Sequence, residues 1–141
     1  MNGDRKKTAE VWLFDVDGTL VDSFDAQHLR PYVRELFTEL TARGISVAVW
    51  SAGGIAHATQ IVDRHQLGDF VSSIDDKVVG ADGYWELPAS LDSSNVNVVC
   101  VDDQPVQLPK SVQVRKVFPY LRPNPHDRAL AFEGIISVHQ M

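Results

Sequence analysis

Three short apolar runs constrain this chain more than anything else in it: VWLF at 11–14, ISVAVW at 45–50 and VNVVCV at 96–101. A strand with one wet face alternates apolar and polar residues, so runs like these mark strands covered on both faces, as in a parallel sheet. The first run stops on Asp15, the second on Ser51 and the third on Asp102. Parallel strands share a direction, and their carboxyl ends lie along one edge, where open α/β sheets bind ligands. The pattern predicts a cleft that gathers two carboxylates and a hydroxyl from distant parts of the sequence.

The intervening segments read as helices and loops. Pro31 suits the first position of a helix whose apolar face is Val33, Leu36, Phe37 and Leu40, with Gly44 ending it. A second helix runs from Ile55 to about Gln66. Residues 70–74 form a weaker strand, 78–94 an irregular excursion, and 112–118 an alternating strand suited to the sheet's edge. Asp127 is placed to cap a last helix carrying Leu130, Phe132, Ile135 and Ile136. Residues 20–29 are long enough to form a flap over the strand ends. The alternation of strand and helix predicts a three-layer, Rossmann-like α/β fold, a parallel sheet of about five strands with helices on both faces. A chain of 141 residues, 44% hydrophobic and 23% charged, has material for one core. The expected division is a flexible segment 1–10 followed by a single domain 11–141.

Net charge is -6, so the broad basic field that binds nucleic acid is missing and a polynucleotide partner is disfavoured. The single cysteine, Cys100, sits inside an apolar run and reads as a small buried hydrophobe, which leaves no disulfide framework. Residues 1–10 lack the apolar stretch of a signal peptide, and no run is long enough to span a bilayer, so a cytoplasmic protein without a membrane partner is expected. None of the five histidines shows zinc-site spacing. His57 and His65 read as a solvated helix face, and His28, beside the flap, is placed to approach a substrate.

The chemistry concentrates in DVDGT at 15–19. Asp15 and Asp17, with Gly18 free to turn the chain, supply either a nucleophile with a proton carrier or oxygen ligands for a hard cation. Ser51, Ala52, Gly53 and Gly54 lead into a helix start, where backbone N–H groups and the helix dipole favour an anion. A carboxylate approaching a phosphate meets repulsion of roughly 4 kcal/mol per pair of unit charges at about 4 Å, worth about three decades in rate. Magnesium between Asp15, Asp102 and a phosphate oxygen would offset it.

DxDGT after an apolar strand resembles the first motif of the haloacid dehalogenase superfamily, in its phosphatase and phosphotransferase branch. RPYVRELFTELTARGISVAVWSAGG at 30–54 is similar to the helix and second strand of the same superfamily. The resemblance, over roughly residues 11–118, implies a magnesium-dependent phosphohydrolase. In it Asp15 attacks phosphorus, Asp17 protonates the leaving oxygen and then activates water, and Ser51 holds the transferring group with Ala52 and Gly53. Asp15, Asp102 and the backbone carbonyl of Asp17 would hold Mg2+, supported by Asp103 and Thr19. The third motif needs a basic residue, and between Ser51 and Asp102 only Arg64 and Lys77 are basic. Lys77 is the choice, because Arg64 falls within the predicted helix. The acid often found a few positions after the fourth motif is replaced here by Gln104, Val106 and Gln107. Segments between motifs are too short for a cap domain. The resemblance therefore implies a cap-less member with an open pocket, with residues 20–29 and 80–94 as specificity elements and room for a homo-oligomer partner. Trp85 is either a stacking platform or a packing aromatic, the second being favoured. Two alternatives stand beside the phosphatase: a phosphotransferase of the same superfamily, and a non-catalytic binding or regulatory domain on the same fold.

Overall fold

In the computed structural model, residues 9–92 and 95–137 are described. The expected flexible segment lies outside them up to residue 8, as do Ser94 and His139.

β1 (Ala9–Phe14) is the middle strand of a five-stranded sheet. β2 (Ser46–Ser51) and then β3 (Val71–Asp76) lie on one side of it, and β4 (Val96–Asp102) and then β5 (Gln113–Lys116) on the other. Every pairing is parallel, with Phe14 opposite both Val49 and Val101. Side chains of successive strand residues point to opposite faces. Trp12, Phe14, Val47, Val49, Val99 and Val101 therefore share one face, and Val11, Leu13, Ala48, Trp50, Val98 and Cys100 the other. The continuous apolar runs are explained because both faces are covered.

α1 (Val33–Ala42) lays Val33, Leu36, Phe37 and Leu40 on the first face. α2 (Ile55–Arg64) adds Ala58, Ile61 and Val62, and α3 (Phe132–Ser137) adds Ile135. The second face is covered by Leu91 and Leu108, with Trp85 and Leu87 packed beside them. The helical turns there are short 3₁₀ turns, Ala89–Leu91 and Pro105–Gln107. The result is the expected three-layer, Rossmann-like α/β architecture, except that the three α-helices share the first face while 3₁₀ turns and loops cover the second, and no helix among the described residues is long and apolar enough to cross a membrane.

Several local expectations are corrected. Ala9 and Glu10 belong to β1 because they pair with Val96 and Asn97, so the strand begins before residue 11. α1 starts at Val33 rather than Pro31, since Tyr32 takes a left-handed backbone (φ 75°) that no helix continues. α2 stops at Arg64, and Gln66 is also left-handed. β3 runs on through Asp75 and Asp76, which pair with Trp50 and Ser51. α3 begins well after Asp127, whose carboxylate is taken by the buried Arg30, at 2.8 Å from Nε and 3.0 Å from Nη2. Residues 20–29 are not a free flap. Leu20 and Val21 are core residues, and the Asp22 carboxylate accepts the backbone N–H groups of Asp25, Gln27 and His28.

Candidate active site

Four strand ends meet at the carboxyl edge of the sheet. Asp15 follows β1, Ser51 and Asp102 end β2 and β4, and Lys77 follows β3. Together they line a cleft of about 360 Å³. The Lys77 ammonium donates to Asp15 Oδ1 and to Asp102 Oδ2, each at 2.9 Å. The Thr19 hydroxyl donates to Asp15 Oδ2 at 3.0 Å and lies 3.3 Å from Asp103 Oδ1. In return the Asp103 N–H donates to Thr19 Oγ1 at 3.2 Å, and the Gln104 N–H donates to Asp102 Oδ1 at 2.8 Å. Gly18 makes this closeness possible. Its φ is +82°, and a Cβ there would sit 2.5 Å from Asp103 Oδ2.

Asp15, Asp102 and Asp103 each offer a carboxylate oxygen within 4.8 Å of the others, a spacing that fits an oxygen-preferring divalent cation. Four aspartates, Asp15, Asp17, Asp102 and Asp103, line the cleft against one ammonium. Burial and the Asp102 carboxylate push Asp15 up to about 7, against the pull of Lys77. Burial also raises Asp102, with Lys77 again opposing. Burial alone would lower Lys77, but Asp15 and Asp102 more than offset it and hold the ammonium above its usual value. The crowding of like charge is the physical reason a cation suits this group.

The resemblance places Asp103 behind the ligands, whereas its carboxylate is in the cluster. The strand ends at Asp102, so alternation no longer sends the next side chain away. Asp17 lines the same cleft, but its carboxylate faces α2, where His57 Nε2 lies 3.0 and 3.1 Å from its two oxygens. His57 is thus not a solvated bystander, which corrects the expectation for that helix face. Its signal was its place in the first turn of the helix that leaves the Ser51 strand end. His65 has its Nε2 buried without a hydrogen-bond partner. His28 turns to the acids of its own loop, 3.4 Å from both Asp22 and Asp25, and does not line the cleft.

The Ser51 cradle is more self-contained than its sequence suggests. The Gly53 N–H donates to Ser51 Oγ at 2.9 Å, the Gly54 N–H to the Ser51 carbonyl, and the Ile55 N–H to Asp76 Oδ1 at 2.7 Å. An internal carboxylate therefore already occupies the start of α2. Ser51 and Ala52 line the cleft and Gly53 does not. Arg64 lies away from the site, with Nη1 3.4 Å from Gln27 Oε1, so Lys77 is the basic residue that meets the aspartates. Trp85 packs partly against the second-face core and also lines the cleft, with its ring 5.6 Å from Lys77 Nζ.

No protein-family model matches this chain, and no curated protein matches it. Among solved structures it is similar to an uncharacterized protein from Listeria monocytogenes serotype 4b, with 12% identity and a TM-score of 0.56 over 94% of this chain and 95% of that one. At that identity the likeness speaks to the fold alone, and the fold is a three-layer α/β arrangement around a parallel five-stranded sheet.

Proposed function

We propose that this protein is a magnesium-dependent phosphomonoesterase of the haloacid dehalogenase type, working through an aspartyl phosphate on Asp15. The observation that carries the reading is Lys77, encoded far from both partners, bridging Asp15 and Asp102 at 2.9 Å each beside Asp103 and Ser51. Asp15, Asp102 and Asp103 would hold Mg2+, and the bound ion would supply positive charge that offsets repulsion between the nucleophile and a phosphate.

In this reading an Asp15 carboxylate oxygen forms a bond to phosphorus as the bond to the ester oxygen breaks. Asp17 gives that oxygen a proton, and the alcohol leaves. Asp17, now a carboxylate, takes a proton from water as the water oxygen attacks phosphorus. Phosphate departs and the Asp15 carboxylate is restored. Lys77 and the Ser51 hydroxyl stabilise charge on the transferring group. Thr19 keeps the Asp15 carboxylate in one orientation through its 3.0 Å hydrogen bond.

The test is phosphate release from 4-nitrophenyl phosphate. Mg2+ is expected to be required, chelation to abolish turnover, and Asp15→Asn to lower kcat by about a thousandfold or more. Release that is equal in the Asp15→Asn protein, or absent on every ester with Mg2+ present, would overturn the reading.

A further inference from the structure

We propose that the cleft selects monophosphate esters of uncharged, apolar alcohols, and that Val106 and Leu121 form the surface that recognises the alcohol. The inference rests on the phosphomonoesterase reading and deepens it.

The buried floor and the exposed rim of the cleft differ in chemistry. On the side of β2 and β3 stand Ser51 and Lys77, and Asp15 lies at the middle strand. On the side of β4 and β5 the floor carries Asp102 and Asp103, and the rim mixes Gln104 and Gln107 with apolar Val106, beyond the end of β4, and Pro119 and Leu121, beyond the end of β5. Val106 is 83% and Leu121 58% exposed, although both line the cleft that holds the aspartates. The backbone of each is held in place. Val106 rides on the 3₁₀ turn Pro105–Gln107, and the Leu121 carbonyl accepts the Phe24 N–H at 3.1 Å. Phe24, the backbone partner of Leu121, is itself 80% exposed. Held apolar groups gain by covering one another from water, so a ligand's hydrocarbon is favoured there.

Charge points the same way. Lys77 is the only cationic residue lining the cleft among the described residues, and it is already committed to Asp15 and Asp102. A second phosphate, as in a nucleoside diphosphate or a polynucleotide, would meet Asp17 and the polar rim with no further cationic side chain to receive it among the described residues. One phosphate at the floor and hydrocarbon at the wall is the ligand with neither conflict.

The experiment compares kcat/KM with Mg2+ for n-hexyl phosphate, glycerol 1-phosphate, a nucleoside diphosphate and a 5′-phosphorylated oligonucleotide. Hexyl and glycerol phosphates differ chiefly in the polarity of the alcohol. Hexyl phosphate is expected to lead by about tenfold, mainly through KM, as for contacts made equally in ground and transition states. In the double variant Leu121→Asp with Val106→Asp, whose positions are exposed and tolerant, that lead is expected to vanish. Equal values for the two esters, a preference for the diphosphate or the oligonucleotide, or a hexyl lead that survives the double variant overturns the proposal. Absence of turnover on all four withdraws the phosphomonoesterase reading itself, and this proposal with it.

Discussion

In the proposed reaction Asp17 carries the proton transfers, and its side chain is 42% exposed, so nothing in the core holds it. The contact from His57 Nε2 to both carboxylate oxygens does that work from the first turn of α2. Freed of it, Asp17 would spread over several rotamers, and the fraction aimed at a leaving oxygen would fall. His57→Ala is therefore expected to lower kcat by about tenfold with little change in KM. His57→Gln, which keeps a donor of similar reach, recovers part of the loss. Because both partners are substantially exposed, the melting temperature is expected to move by little in either variant. Steady-state kinetics with a thermal melt separate positioning from stability, and an unchanged kcat in His57→Ala would remove the role assigned to His57.

The elements themselves were largely legible because their causes are local. VWLF, ISVAVW and VNVVCV are strands because both faces are buried, and parallel pairing then forces Asp15, Ser51 and Asp102 to one edge. What resisted reading was tertiary. VSSIDD in β3 carries no apolar run, and its last residues are strand only because Trp50 and Ser51 pair with them. That extension is also what delivers Lys77 to the cleft. Pro31 and Asp127 are good local helix signals, yet the pair that overrides them, Arg30 with Asp127, is separated by 97 positions and fits in no local window. Arg30 is fully buried and ties three segments together, donating also to the carbonyls of Thr19 (3.3 Å) and Phe118 (2.6 Å). Removing its counter-charge leaves a buried guanidinium unpaired, so Asp127→Ala is expected to cost about 3–5 kcal/mol. For a chain of this size that is a fall of roughly 10 °C in Tm. The loop holding Gly18 and Thr19 would loosen with it. A melt within a degree or two of the parent protein would show that the tie does not matter to stability.

At the scale of the whole molecule, the strand order β3-β2-β1-β4-β5 puts Asp15 at the centre, with Lys77 and Ser51 arriving from one flank and Asp102 and Asp103 from the other. The same topology crowds four carboxylates around one ammonium at a single edge of an already acidic chain of net charge -6. Such crowding opposes the folded state, since unfolding lets the acids separate into water, and a ligand that relieves it only in the folded state must raise stability by linkage. Magnesium at about one hundred times its dissociation constant is expected to add about 2.7 kcal/mol, a rise in Tm on the order of 5–10 °C. Asp102→Asn, which keeps the shape and removes one charge from the cluster, is expected to melt no lower than the parent without metal and to lose most of the rise with it. Simple screening by salt would do the opposite of discriminating, because any electrolyte shortens the reach of exposed charges alike. The control is sodium chloride at matched ionic strength. If it raises Tm as much as magnesium does, or if Asp102→Asn responds to magnesium like the parent, the acidic edge is a screened surface and holds no ion of its own.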